Sequence, residues 1–316
     1  MKRLAEEGYQ LRALARRQSD LSTLHELGAE IVFGDLGDKA SISAAVQGID
    51  VVVHAAAGTS GTAEDSDIAT IQGTRNILAA CRASQVKKLV YISSCSVYEL
   101  AGYSEGQIVT EESQLERFPL RRGHYAAAKL QAEILVSEYM NCDGCPTVVL
   151  RPGMLYGPGA DIFPRMLGLS FARSMFVIFS DGKSELPLAH VENVVDAIVK
   201  CMGSGAADNQ VFNLVDQDLV TRKAYVEQLI KPLYPNAGVI YLPMGLLRAL
   251  TWLQERLLAI LGKQPFLTAY RLASSQKRVR YCTSKIESAI GWRPRITFAQ
   301  GAEQILRLHR QSARSR

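Results

Sequence analysis

Tyr125-Ala126-Ala127-Ala128-Lys129 sets a phenol and an ammonium four residues apart. On a helix that spacing puts both on one face, about one turn apart. A phenol with a pKa near ~10 exchanges protons poorly at neutral pH. A neighbouring ammonium favours the phenolate, lowers that pKa and makes proton exchange feasible. Alone the pair is a weak signal, because Tyr-x-x-x-Lys recurs on helix surfaces by chance. Its context is stronger. Leu89-Val90-Tyr91-Ile92-Ser93-Ser94 reads as a buried strand ending in two hydroxyls, and open α/β sheets keep their sites at the C-terminal edges of strands. A serine there can hold a substrate oxygen while Tyr125 moves the proton. The plainer role for Ser93 and Ser94 is capping the loop after the strand.

An alternation of strands and helices must position these groups. Residues 10–15, 30–33, 50–55, 88–93 and 147–150 read as strands; 19–27, 39–46, 65–83 and 125–140 read as helices. A polar loop covers about 99–122. Several strands are continuous apolar runs, such as Val51-Val52-Val53 and Val148-Val149-Leu150. Such runs suit strands buried on both faces of a parallel sheet. The expected fold is therefore α/β, a doubly wound parallel sheet. After Gly157-Pro158-Gly159 the rhythm changes, and a smaller, mostly helical second part is expected. The division expected is 1–155 with 190–215 returning to it, and 156–189 with 216–316 as the second part.

Composition excludes several classes. The 316 residues are 47% hydrophobic and 21% charged, and the net charge is +5. Disorder throughout is excluded, and so mild a charge requires neither nucleic acid nor a membrane. Six cysteines are scattered; Cys142-Asp143-Gly144-Cys145 lacks the second ligand pair a zinc site needs, so no metal is expected and the thiols read as reduced. Met1-Lys2-Arg3 leads into no apolar run, which fits a cytoplasmic protein. The most apolar window, 242–261, is broken by Arg248, Gln254, Glu255 and Arg256, so no transmembrane segment is expected.

Val90-Tyr91-Ile92-Ser93-Ser94-Cys95-Ser96-Val97-Tyr98, Tyr125-x-x-x-Lys129 and Leu150-Arg151-Pro152-Gly153-Met154-Leu155-Tyr156-Gly157-Pro158-Gly159 together resemble the extended short-chain dehydrogenase/reductases. The resemblance continues through Asp35-Leu36, His54-Ala55-Ala56-Ala57, the Gly73-Thr74 helix, His190-Val191-Glu192-Asn193-Val194 and Gly291-Trp292-Arg293-Pro294. It covers nearly the whole chain and implies a Rossmann-type, nicotinamide-dependent enzyme. By that resemblance Ser94 polarises the substrate, Tyr125 is the acid/base, and Lys129 tunes Tyr125 and holds the nicotinamide ribose. Asp35 and Leu36 would contact adenine; Ala55, Ala56 and Ser93 would line the cofactor; Pro152, Gly153 and Met154 would stand beside the nicotinamide. Relatives often dimerise through the helices around 65–83 and 125–140, so a homodimer is possible.

Three departures refine this. The family opens with a strand, a glycine-rich turn and a helix, which seat the cofactor pyrophosphate. This sequence has no such turn. Met1 to Tyr9 read as the second half of that helix, with Gly8 as its stop, so roughly 20 residues of a βα unit are expected to be missing and dinucleotide binding to be poor. A start set too late is favoured over a truncated gene or a divergent protein. Second, Leu14-Ala15-Arg16-Arg17 carries no acid for a ribose 2′-hydroxyl; Arg16 and Arg17 suit a 2′-phosphate, favouring NADP over NAD. Third, Met154 and the Leu-rich 242–261 segment with Trp252 point to an apolar, steroid- or terpenoid-like alcohol or ketone, nearest the 3β-hydroxysteroid dehydrogenase branch. Ordinary helix packing is an equal account of that segment, and contact with a membrane surface a third. The function expected is an NAD(P)-dependent oxidoreductase acting on a small molecule. A nucleotide-sugar 4-epimerase or dehydratase is the alternative, weakened because 182–188 lacks a diphosphate-binding Arg. A non-catalytic dinucleotide sensor is the second alternative.

Overall fold

The computed structural model describes residues 1–56, 67–142, 144–164, 166–263, 265 and 267–314. Ala57, Asp65 and Asp143 lie outside them. Helix α1 (Lys2–Glu6) stops at Gly8, whose φ of +81° a side chain would oppose. Then come β1 (Arg12–Ala15), α2 (Ser22–Glu26), β2 (Glu30–Phe33), α3 (Lys39–Val46) and β3 (Val51–His54). Asp38 starts α3 by accepting the amides of Ala40 and Ser41. A π-helical turn, Asp67–Gln72, runs into α4 (Gly73–Ala83), followed by β4 (Lys88–Ile92), β5 (Gln107–Val109), α5 (His124–Asn141) and β6 (Thr147–Pro152).

Four parallel strands stand side by side in the order β11-β6-β4-β3, where β11 is Gln210–Leu214. β4 and β6 are buried at every position. One face is covered through Ile77, Leu78, Ala132 and Val136 of α4 and α5. The other is covered through Val194 and Ala197 of α6 (Val191–Gly203), with Ile286 and Trp292. Layers of helix on both faces of a parallel sheet make this a doubly wound α/β fold.

β1 and β2 form a separate parallel pair. Among the described residues nothing hydrogen-bonds β1 to β3, so each presents an open edge to the other side. Burial records this: residues 12–14 of β1 and 51–53 of β3 are only half-buried, although Val51-Val52-Val53 reads as a strand buried on both faces. The pair is held instead by side chains, with Leu14 and Leu36 packed against the cluster of Ile42, Val46, Ile77 and Leu78.

A second hydrophobic core gathers Tyr156, Leu167, Phe176, Ile178, Tyr225, Leu229 and Phe298. It holds more strand than the sequence rhythm conveys. β7 (Met154–Tyr156) pairs with β10 (Leu188–His190), and β8 (Gly168–Phe171), β9 (Met175–Phe179) and β12 (Gly238–Leu242) form a three-stranded sheet. The β8–β9 turn uses Ala172 and Arg173 at positive φ, where Gly or Asn would have marked it. β13 (Val279–Tyr281) pairs with β5, placing a strand inside the expected loop. The long helices here are α7 (Met244–Ile260), α8 (Ala269–Gln276) and α10 (Phe298–Arg314), with α9 (Ser284–Ile290) between the last two.

Because β1–β2 is tied to the rest by side-chain contacts and hydrogen bonds, with no strand ladder to β3, its amides should exchange with solvent through local opening. Native-state hydrogen exchange is expected to give β4 and β6 protection factors at least ~10-fold above those of β1 and β2. Equal protection would show that the two sheets open as one.

Candidate active site

Ser93 and Ser94 follow the last residue of β4, and Tyr125 and Lys129 lie in the first two turns of α5. Ser94 begins a short 3-10 turn, its Oγ accepting the Ser96 amide at 3.1 Å. Tyr125 is 39% exposed, at the lip of the site. Burial of its hydroxyl raises the phenol above its ordinary pKa, and a hydrogen bond with Ser94 opposes this. The expectation that Lys129 depresses the Tyr125 pKa is not met. The reason is where the ammonium goes: Lys129, 1% exposed, donates from Nζ to the Ile92 carbonyl at 2.6 Å and lies 5.3 Å from the centre of the Tyr91 ring. Burial lowers the Lys129 pKa to about 8, with Glu133 opposing.

Beneath the site lies a buried network. Arg151 at the end of β6 bonds Glu133 of α5 through Nε at 3.0 Å and Nη2 at 2.5 Å. Ser93 Oγ donates to the same carboxylate. Arg151 Nη1 donates to Tyr98 Oη at 2.7 Å, which donates to Asn213 Oδ1 of β11 at 2.6 Å. The Glu111 carboxylate accepts the Asn213 amide at 2.8 Å. Glu133 and Arg151 are 2% and 4% exposed. An ion pair this deep is stable only with its remaining donors and acceptors filled, and here they are. Sequence reasoning passed over Glu133, yet its signal was present: it stands four residues after Lys129, on the Tyr125–Lys129 face.

The other expected residues divide. Ala55 and Ala56 are exposed just past β3. Arg16 and Arg17 are exposed past β1, and the Arg17 guanidinium lies 5.4 Å from the Phe33 ring centre. Asp35 is exposed and turns its carboxylate onto the Gly37 amide; the Leu36 carbonyl accepts from Asn76. The Ser93 hydroxyl is committed to Glu133, which leaves its backbone to face the site. Pro152 ends β6, and Gly153 passes so close to Pro187 that a Cβ would lie 2.2 Å from its carbonyl oxygen. Met154, 8% exposed, packs with the second core at the start of β7. His54 is 2% exposed and bonded to Thr74 at 2.9 Å, and His190 caps α6.

A cavity of about 730 Å³ opens between α7 and α8, lined by Met244, Thr251, Leu272 and Ala273 together with Arg248 and Arg278. Tyr125 is not in its wall. α8 stands between the two: Leu272 and Ala273 face the cavity, while Tyr270 bonds Glu116 and the Arg271 guanidinium lies beside Gly123, two residues before Tyr125. Sequence spacing gave no sign that Arg248 and Arg278 line one cavity.

Residues 1–214 match the model of the NAD dependent epimerase/dehydratase family. The chain belongs to that family. A Stigmatella aurantiaca protein named 4-hydroxy-2-methyl-3-oxo-4-farnesyl-3,4-dihydroquinoline-1-oxide ketoreductase is 28% identical over 307 residues, covering 96% of this chain and 90% of that protein. The 3beta-hydroxysteroid-dehydrogenase/decarboxylase isoform 1 of Arabidopsis thaliana is 27% identical over 298 residues, 88% of this chain and 66% of the plant protein. In fold, the chain is similar to the crystal structure of gox2253, with a TM-score of 0.82 and 24% identity over 99% of this chain and 94% of that one.

For the epimerase/dehydratase cofactor the site fits at one end. Tyr125, Ser94 and buried Lys129 converge where the nicotinamide half would lie. For the pyrophosphate half, no glycine-rich turn stands among the described residues, and the place between β1 and β3 is open.

Two measurements follow from the buried groups. Glu133→Ala leaves Arg151 buried without its carboxylate, and should cost about 3–5 kcal/mol in urea unfolding; a loss under ~1 kcal/mol would remove the pair from the framework. Burial, with Lys129 adding to it, lowers the His54 pKa to about 3. The unfolded chain, near ~6.5, therefore binds the proton more readily, so His54's contribution is full above that pH and is lost as pH falls toward 3. Urea midpoints from pH 7 to 4 should fall more steeply in the wild type than in His54→Gln; parallel slopes would refute this.

Proposed function

We propose that the chain is an NAD(P)-dependent oxidoreductase interconverting a secondary alcohol and a ketone on an apolar, steroid- or terpenoid-like small molecule. The observation that carries this is the convergence of Ser94, Tyr125 and Lys129 at the C-terminal end of β4. Ser94 donates to the substrate oxygen and orients it. Tyr125 gives its phenolic proton to that oxygen during reduction and takes one back during oxidation. Its raised pKa keeps it protonated at neutral pH, which suits the reductive direction. Lys129, held by the Ile92 carbonyl, offers its remaining donors to the ribose side. Ala55, Ala56, Pro152 and Gly153 would line the cofactor; Asp35 and Leu36 would meet the adenine. A nicotinamide bound there supplies or accepts the hydride. Exposed Arg16 and Arg17 support NADP as the preferred form. The names of the ketoreductase and steroid dehydrogenase relatives support the substrate class. In this reading residues 1–155 and 190–215 bind the dinucleotide, and 156–189 with 216–316 bind the substrate.

Tyr125→Phe should lower turnover about 10²–10⁴-fold, with thermal midpoint and nucleotide affinity unchanged. Activity is to be followed with NADPH and NADH on prenylated ketones and 3-ketosteroids. Full turnover by the Phe variant would overturn the role of Tyr125.

A further inference from the structure

Helix α7 is built inside out for a helix packed on a globular core. Of its side chains Leu247 and Thr251 are buried, at 4% and 3% exposure. Leu246, Leu250, Leu253, Leu257 and Ile260 are exposed, from 47% to 81%, as is Leu261 just past its end. At 3.6 residues per turn these six fall in an arc of about 100°. The packing account of the 242–261 segment is thereby set aside for this face.

The polar residues of the helix sort by sign. Gln254 is used inward, exchanging two hydrogen bonds with the Leu267 backbone. The Glu255 carboxylate accepts the Ala269 amide at the head of α8. The charges left exposed on the helix and its end are Arg248, Arg256 and Lys263, all cationic. Arg256 follows the edge of the stripe, and its guanidinium lies 5.4 Å from the ring centre of Trp252, 59% exposed on the next face.

We propose that α7 is an interfacial helix that seats the protein on an anionic lipid bilayer. An apolar stripe flanked by basic side chains lies in the plane of a bilayer, the leucines about 5–10 Å into the headgroup boundary and the cations at the phosphates. Charge selects this occupant over a second copy of the chain. Helices that pair through such a stripe set opposite charges along its flanks, whereas two copies of α7 would bring Arg256 and Lys263 together with no facing acid exposed on the helix. The helix does not cross: none of the described helices is long and apolar enough to span a membrane. The inner side of the same helix, through Met244, Arg248 and Thr251, lines the 730 Å³ cavity. Docking rests on the surface of α7 and not on the redox reading, so either can fail alone.

The test is flotation of the full chain with vesicles of phosphatidylcholine and phosphatidylglycerol, about 70:30, and with phosphatidylcholine alone. The wild type should float with the anionic vesicles, and at least ~10-fold more weakly with the neutral ones, since each cation near the surface adds affinity. Leu253→Glu/Leu257→Glu should lose flotation while keeping its circular dichroism and melting temperature. Brominated lipids read the same contact in the unaltered protein. They should quench Trp252, while Trp292, 1% exposed, stays unquenched. Absence of flotation and quenching in the wild type would overturn the proposal. So would flotation unaffected by the double substitution, or a dimer seen by light scattering that the substitution abolishes without any vesicle binding.

Discussion

The Glu133–Arg151 ion pair is the interaction on which the site depends. It joins the helix that carries Tyr125 and Lys129 to the strand that runs beside β4, and Ser93 ties the end of β4 to the same carboxylate. Tyr98 and Asn213 extend the tie to the long loop and to β11. Separating charges from water this deep is costly, and the cost is offset only while the whole set is satisfied. The axial position and rotation of α5 are thereby fixed from below. Tyr125, 39% exposed at the lip, takes its place from that anchorage.

The sheet shows the opposite economy. β4 and β6 are sealed on all sides, while β1 and β3 face each other without a ladder between them. Side chains of α3 and α4 keep the β1–β2 pair in place. The end of the sheet at β4 and the β1–β2 end are therefore unequally built. The former is locked by a hydrogen-bonded polar network, the latter by apolar packing and exposed turns.

Much of this was legible in the sequence. Strand 30–33 and helix 39–46 match the observed bounds, because each combines a clean apolar pattern with a turn signal or cap, such as Asp38. The Ser94, Tyr125 and Lys129 positions were legible because strand end and helix start each left a local mark. What escaped depends on partners distant in sequence. Nothing near Lys129 says that Ile92 will take its ammonium and leave the phenol unassisted. Nothing near Met154 says that it belongs to the second core. β5 and β13 are three residues each and lie about 170 positions apart, too short for a periodic signal. Glu133 alone could have been read by extending the four-residue spacing one step further.

The open edges carry a consequence for the protein in company. Unpaired amides and carbonyls along β1 and β3 are templates for any extended peptide, another copy included. Natural sheets blunt such edges with charge or a covering element. β1 has Arg12, whose guanidinium is drawn away to Glu30 and to the carbonyls of Ala45 and Gln47, and β3 offers a bare run of valines. Strand exchange between molecules at this place would bury half-exposed valine and satisfy backbone groups at one stroke.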